Sequence, residues 1–157
     1  ARQMMKHNNK EPEHFLWVNP FQFDVRDLCR SLEDNGFPCQ PVNSLPNCLR
    51  TSAAVSGHPL YKRGCVIFID ISSQWVANLP DLSNCSRAGD LCAAPGGKSF
   101  ILASRLPSGS RLIASDVSIS RILSMRQRVL KLGIPDVSLQ VVDLNQNCFM
   151  PVNLSVS

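Results

Sequence analysis

The sequence predicts an α/β fold: an incomplete Rossmann-like sheet of three parallel strands with helices, preceded by a small α+β unit. Three observations predict it. From Gly89 onward, apolar extended runs alternate with helical patterns, the signature of a parallel sheet with right-handed crossovers. The turn Asp90-Leu91-Cys92-Ala93-Ala94-Pro95-Gly96-Gly97-Lys98 stands between the first such strand and its helix. Ahead of it, one amphipathic helix lies between extended runs and forms a separate unit.

The elements follow in order. Residues 1–11 are a polar lead-in. Residues 12–56 are the small α+β unit. Phe15 to Val18 reads as a short buried strand closed by Asn19-Pro20. Asp24 caps a helix whose Val25, Leu28, Cys29 and Leu32 share one face, and Asn35-Gly36 stops it. Phe37 to Val42 returns extended, with Pro38 and Pro41 placing it at a sheet edge. Residues 57–88 are a connecting segment: Gly57-His58-Pro59 as linker, Cys65 to Ile69 as an apolar strand, and a short helix from Asp70 to Asn78. Residues 89–157 hold the α/β half-domain. Asp90 to Ala93 is a strand end, and the strand finishes near Cys92. A helix runs over 97–106, with Phe100, Ile101, Leu102 and Leu106 as its apolar set. Arg111 to Asp116 is the second strand. A long helix over 118–132 carries Ile119, Ile122, Leu123, Val129 and Leu130 on one face. Val137 to Val142 is the third strand, and Leu144 to Ser157 reads as tail. A doubly wound sheet has more strands, so the α/β domain reads as truncated, and the absence of an initiator Met fits a fragment or a processed product.

Composition narrows the classes. No apolar run reaches membrane-spanning length and no signal peptide is present, so a membrane role is not expected. The seven cysteines are odd in number and show no C-x-x-C pair, and His7, His14 and His58 stand apart. That pattern predicts reduced thiols in an intracellular protein and no metal site. The net charge of +4 is compatible with a polyanionic partner but does not specify one.

The turn is where the chemistry gathers. In an open parallel sheet, ligands sit off the carboxyl ends of the strands. Ala93 and Ala94 keep the floor open and Pro95 stiffens the loop. Gly96 and Gly97 let a ligand approach the backbone. Lys98, Ser99 and the first free amides of the helix favour an anionic group. Asp116 closes the second strand about two dozen residues further on, where an acid can bind ribose hydroxyls or cap the next helix. Asp143 closes the third strand, where it can face a base. There is neither a G-x-G-x-x-G nor a G-x-x-x-x-G-K-[ST] motif, which argues against a nicotinamide dinucleotide and a P-loop.

The ten residues Asp90 to Ser99 resemble the first motif of the RsmB/NOP2/Sun family of RNA cytosine-5 methyltransferases. Gly64 to Gln74 is similar to the segment that precedes that motif, with Ile69 where the family usually has Gln. Val18-Asn19-Pro20 resembles an Arg-Val-Asn stretch of the family's RNA-contacting domain, with Trp17 in place of Arg. The resemblance covers roughly residues 12–145. It implies S-adenosylmethionine as cofactor, held by Cys92, Ala93, Ala94, Pro95, Gly96, Gly97 and Lys98 at the methionine end. It further implies Asp116 on the ribose, Asp143 beside the adenine, and Arg121 at a basic position after the ribose acid. The implied partner is ribosomal or transfer RNA, bound by a monomer in the cytoplasm, nucleolus or mitochondrion.

The family's chemistry needs two cysteines in Asp-Ala-Pro-Cys-Ser and Thr-Cys-Ser motifs, and neither motif occurs in these 157 residues. No catalytic residue is therefore assigned, and Cys148 lacks the right context. The chain alone is expected not to complete the reaction. The alternatives are a non-catalytic SAM- or RNA-binding protein, and a SAM methyltransferase with another acceptor.

Overall fold

The computed structural model describes residues 13–145 and 154–156. The lead-in 1–11, Pro12 and Cys148 lie outside the described residues. Strand β1 (His14–Val18) begins the first sheet. Helix α1 (Val25–Asp34) follows, and the Asp24 carboxylate accepts from the Arg26 and Asp27 amides at its start. Strands β2 (Cys39–Pro41) and β3 (Cys48–Thr51) come next, and then a 3₁₀ turn over Val55–Gly57. The sheet order is β2-β3-β1-β4, all antiparallel, with β4 (Val66–Phe68) paired to β1. As its two prolines predict, β2 is an edge.

Two features of the expected connecting segment differ from a linker. Its strand β4 completes the first sheet. Gly57-His58-Pro59 is the entry to a short helix, α2 (Pro59–Lys62). The buried His58 accepts from the Leu60 amide through Nδ1 at 3.2 Å, and Pro59 takes the first helical turn, where no backbone donor is needed.

Strand β1 is buried on both faces, and alternation sends its side chains into two cores. Leu16 and Val18 pack with Leu28 and Leu32 of α1. Trp17 points the other way, into the second core. That core also holds Ala77 of helix α3 (Ile71–Asn78) and residues of the second sheet.

The second sheet has the order β5-β6-β7-β8. Strands β5 (Arg87–Asp90), β6 (Arg111–Asp116) and β7 (Val137–Val141) are parallel. Helix α4 (Gly97–Arg105) joins the first two, and α5 (Ile119–Leu132) joins the last two. The tail expected at the chain's end holds a fourth strand, β8 (Leu154–Val156), antiparallel to β7.

Two corrections concern registers. Strand β5 ends at Asp90, not Cys92, because the Asp90 carboxylate accepts from the Cys92 amide and turns the chain there. On α5 the buried face is Ile122, Met125, Val129 and Leu132, while Ile119, Leu123 and Leu130 are exposed. Steps of three and four residues from Ile122 keep one side of a 3.6-residue helix, and Met125 belongs to that row.

The two sheets are tied by polar contacts as well as by Trp17. The buried Asn19 donates to the Leu132 carbonyl at 2.7 Å, and Gln22 donates to the same oxygen at 3.0 Å. These side chains satisfy a helix C-terminal carbonyl that has no partner within its own helix.

Candidate cofactor-binding site

The site forms where β5, β6 and β7 end. After Asp90 the chain turns through Leu91 and Cys92, and the Ala93 amide donates to the Ser115 carbonyl at 2.9 Å. Ala94 then donates to Asp116 Oδ2 at 3.3 Å, fastening the turn to the end of β6. Pro95 follows in a cis peptide, and Gly96 caps α4 at φ +104°. No side chain caps this helix.

Asp116 is the centre of the arrangement. It is only 5% exposed, yet it lines a crevice of about 290 Å³. Its Oδ1 accepts from the Ser118 amide at 3.1 Å and its Oδ2 from Ala94. Each carboxylate oxygen has two acceptor positions, so each keeps one for a ligand. The ribose and helix-cap readings of Asp116 are thus compatible, although Ser118 itself is the residue that caps α5. Arg121 Nη1 lies 3.9 Å from Asp116 Oδ2 and stays largely in solvent. Cys92, Ala94, Asp116, Arg121 and Asp143 all line this crevice. Asp143 receives the Asn145 amide at 2.9 Å. The exposed apolar side chains of Leu91, Val117 and Leu144 complete its walls.

The remaining predicted residues stand elsewhere. Ala93, Pro95, Gly97 and Lys98 line a second, smaller cleft of about 190 Å³, shared with Ser73, Ile69 and Arg128. Cys92 and Ala94 border both clefts. Gly96 is buried and lines neither. A Cβ on Gly96 would stand 2.3 Å from Phe100 Cζ, so its bare Cα makes room for an aromatic ring of the core. A Cβ on Gly97 would meet Ile69 at an ordinary 3.7 Å.

Three residues have roles here that the sequence reading did not give them. Asp90 Oδ2 accepts from Ser99 Oγ at 2.7 Å, bracing the turn from inside. Arg128, on α5, donates to the Pro95 carbonyl at 2.8 Å and lies 5.3 Å from the Phe100 ring centre. An acid and a serine nine residues apart, on either side of a glycine turn, were the legible signal for the Asp90–Ser99 pair. Arg128 had none, because its role depends on how α5 packs.

An acid-floored crevice at the carboxyl ends of a parallel sheet is the binding-site arrangement of a Rossmann-like domain, and solved structures share the fold. A methyltransferase homolog protein from Pyrococcus horikoshii superposes with TM-score 0.77 at 24% identity, over 87% of this chain and 45% of its own. NSun6 from the same organism, solved with SFG, gives TM-score 0.76 at 15% identity, over 89% of this chain and 60% of its own.

No family model matches the sequence. Its curated relatives are nonetheless consistent. Ribosomal RNA small subunit methyltransferase B of Photorhabdus laumondii is 29% identical over 84% of this chain and 31% of its own length. The protein of that name from Cronobacter sakazakii is 32% identical over 80% of this chain and 29% of its own. The chain is thus a homologue of the RsmB/NOP2/Sun methyltransferases and spans about a third of the length of the curated relatives it matches.

Proposed function

We propose that this chain forms the S-adenosylmethionine-binding half of an RNA cytosine-5 methyltransferase acting on ribosomal or transfer RNA. The observation that carries the reading is the Ala94–Asp116 hydrogen bond, which places a buried carboxylate beside the glycine turn at the strand ends. The crevice suits an adenosine. Asp116 has one acceptor position left on each oxygen for two ribose hydroxyls. Leu91, Val117 and Leu144 offer apolar surface to a base, with Asp143 at its edge for an exocyclic amine. Bound there, the cofactor supplies an electrophilic methyl group. The residues of this chain orient it: Asp116 holds the sugar, Asp90 and Ser99 fix the turn, and Arg121 balances the buried charge.

The unit of residues 12–56 is proposed to contact RNA, on the strength of the family resemblance. Trp17 and Asn19 are buried, so that contact falls to other side chains. The carbon-activating cysteines are assigned to motifs that these 157 residues do not contain.

The test is equilibrium binding of labelled S-adenosylmethionine. The chain is expected to bind it, and Asp116→Ala to weaken binding at least tenfold while Asp116→Asn retains the fold. Unchanged binding in Asp116→Ala would sink the assignment. Methyl transfer to unmodified RNA by this chain alone would sink the claim that the acceptor chemistry lies in other motifs.

A further inference from the structure

Away from the crevice, α1 and β2 bring two thiols together. Cys29 Sγ and Cys39 Sγ are 3.1 Å apart, and both residues are buried. Each thiol also faces the other residue's carbonyl, at 3.4 Å from Cys29 Sγ and 3.5 Å from Cys39 Sγ. The backbone between them is held: Gly36 donates to the Glu33 carbonyl and Phe37 to the Leu32 carbonyl, while Thr51 Oγ1 donates to the Pro38 carbonyl. A carboxylate oxygen of Glu33 lies within 4.8 Å of both sulfurs. On the outer side, Cys39 and Glu33 line a cleft of about 260 Å³ beside the edge strand.

We propose that Cys29 and Cys39 are a dithiol switch that closes to an intramolecular disulfide, pinning edge strand β2 to helix α1, when the protein meets a low-molecular-weight disulfide. A metal site is the competing use of the same three donors, and the geometry disfavours it. Two thiolates on one tetrahedral zinc, at about 2.3 Å each, hold their sulfurs about 3.7 Å apart, and a structural site needs four ligands. Sulfurs at 3.1 Å are already closer than that. A disulfide brings its sulfurs closer still, to about 2.05 Å.

The exchange balances in two steps. Cys39, bordering the cleft, gives up its proton and its thiolate attacks one sulfur of the small disulfide. That S–S bond breaks, one small thiolate leaves and takes a proton, and Cys39 carries a mixed disulfide. Cys29, deprotonated in turn, attacks Cys39 Sγ and expels the second small thiol. The two protein thiols are oxidised and one small disulfide is reduced to two thiols. Burial, and then the hydrogen bond with Cys29, push the Cys39 thiol well above its usual range. The pair therefore rests as dithiol and reacts when the three-residue edge strand opens locally.

The experiment is incubation of the 157-residue chain in oxidised glutathione, followed by alkylation under denaturing conditions and peptide mapping. The expected product is a Cys29–Cys39 cross-linked peptide, about 2 Da lighter than the two reduced peptides together. The expected thermal midpoint rises by several degrees and returns on reduction. Cys29→Ala and Cys39→Val each abolish the cross-link, and mapping of the unsubstituted chain does not depend on their folding. Full alkylation of both residues after the exposed Cys92 has been oxidised would overturn the proposal. So would a dominant linkage of Cys39 to another cysteine, or stoichiometric zinc retained on the pair against a chelator.

Discussion

Gly96 and Phe100 are fitted to one another: a Cβ on Gly96 would stand 2.3 Å from Phe100 Cζ and 2.6 Å from Cε1. The glycine also sits at φ +104°, where side chains are strained. Gly96→Ala is expected to cost about 2 kcal/mol or more from strain and overlap together. In a Phe100→Leu background the overlap is relieved, so the same substitution should cost measurably less. A double-mutant cycle by urea unfolding reads the coupling, expected at about 1 kcal/mol. A purely additive cycle would mean that φ alone makes glycine necessary.

Arg128 reaches across to the same loop, and its replacement separates charge from stem. Arg128→Met keeps the alkyl packing and loses the hydrogen bond to the Pro95 carbonyl and the stacking on Phe100. The expected cost is about 0.5–1.5 kcal/mol in stability. Hydrogen exchange at the Ala93 and Gly96 amides, which donate to the Ser115 and Ala93 carbonyls, should speed up. Arg128→Lys should restore little, because an ammonium lacks the planar fork that both bonds and stacks. Unaltered exchange in Arg128→Met would show that the loop holds its shape without the arginine.

What was legible in the sequence follows from what local physics controls. Helix α1 could be read because Asp24 and Asn35-Gly36 bound it and Leu28, Cys29 and Leu32 share one face. Strand β6 could be read because a β run stops at an acid. Asp116 and Asp143 could be placed at one crevice by the alternation of strand and helix, since parallel strands bring their ends together, whereas Arg121 came only from the family resemblance. The failures have one cause: they depend on packing that sequence neighbours do not reveal. Leu123 and Met125 are equally apolar, and only the neighbours of α5 decide that Met125 is buried. The fit of Gly96 to Phe100 could not be read until the ring of Phe100 was placed. Cys29 and Cys39 show no metal or redox spacing, yet a helix followed by a returning edge strand stacks them.

The entry to α3 supplies a pH prediction. Asp70 caps the helix and accepts from the Ser72 and Ser73 amides and from the Ser72 hydroxyl. The Ser72 hydroxyl first, then the two amides, hold its carboxyl below the usual range. A folded-state value below the unfolded one stabilises the fold above about pH 3.9 and loses that contribution as pH falls through the folded value. Asp70→Asn keeps a capping oxygen without the titration. The stability difference between the two chains should therefore be constant from pH 7 to 5 and shrink towards pH 2, read by thermal unfolding. A difference that grows as pH falls would reverse the sign and refute the cap as its source.

The thiols supply a second titration, running the other way. Cys48 is buried in β3, and burial pushes its thiol up to about 11, with a hydrogen bond from Gln74 pulling it partly back. An unfolded cysteine titrates near 8.5. Between those two values the unfolded chain gives up its proton while the folded chain keeps it, so folding stability declines as pH rises across the window. Cys48→Ala should flatten that part of the decline. In the native chain at pH 8, iodoacetamide should modify the exposed Cys92 first and leave Cys48 protected until unfolding. Modification of Cys48 at the rate of Cys92, with the fold intact by circular dichroism, would mean that β3 opens far more readily than its pairing with both β1 and β2 implies.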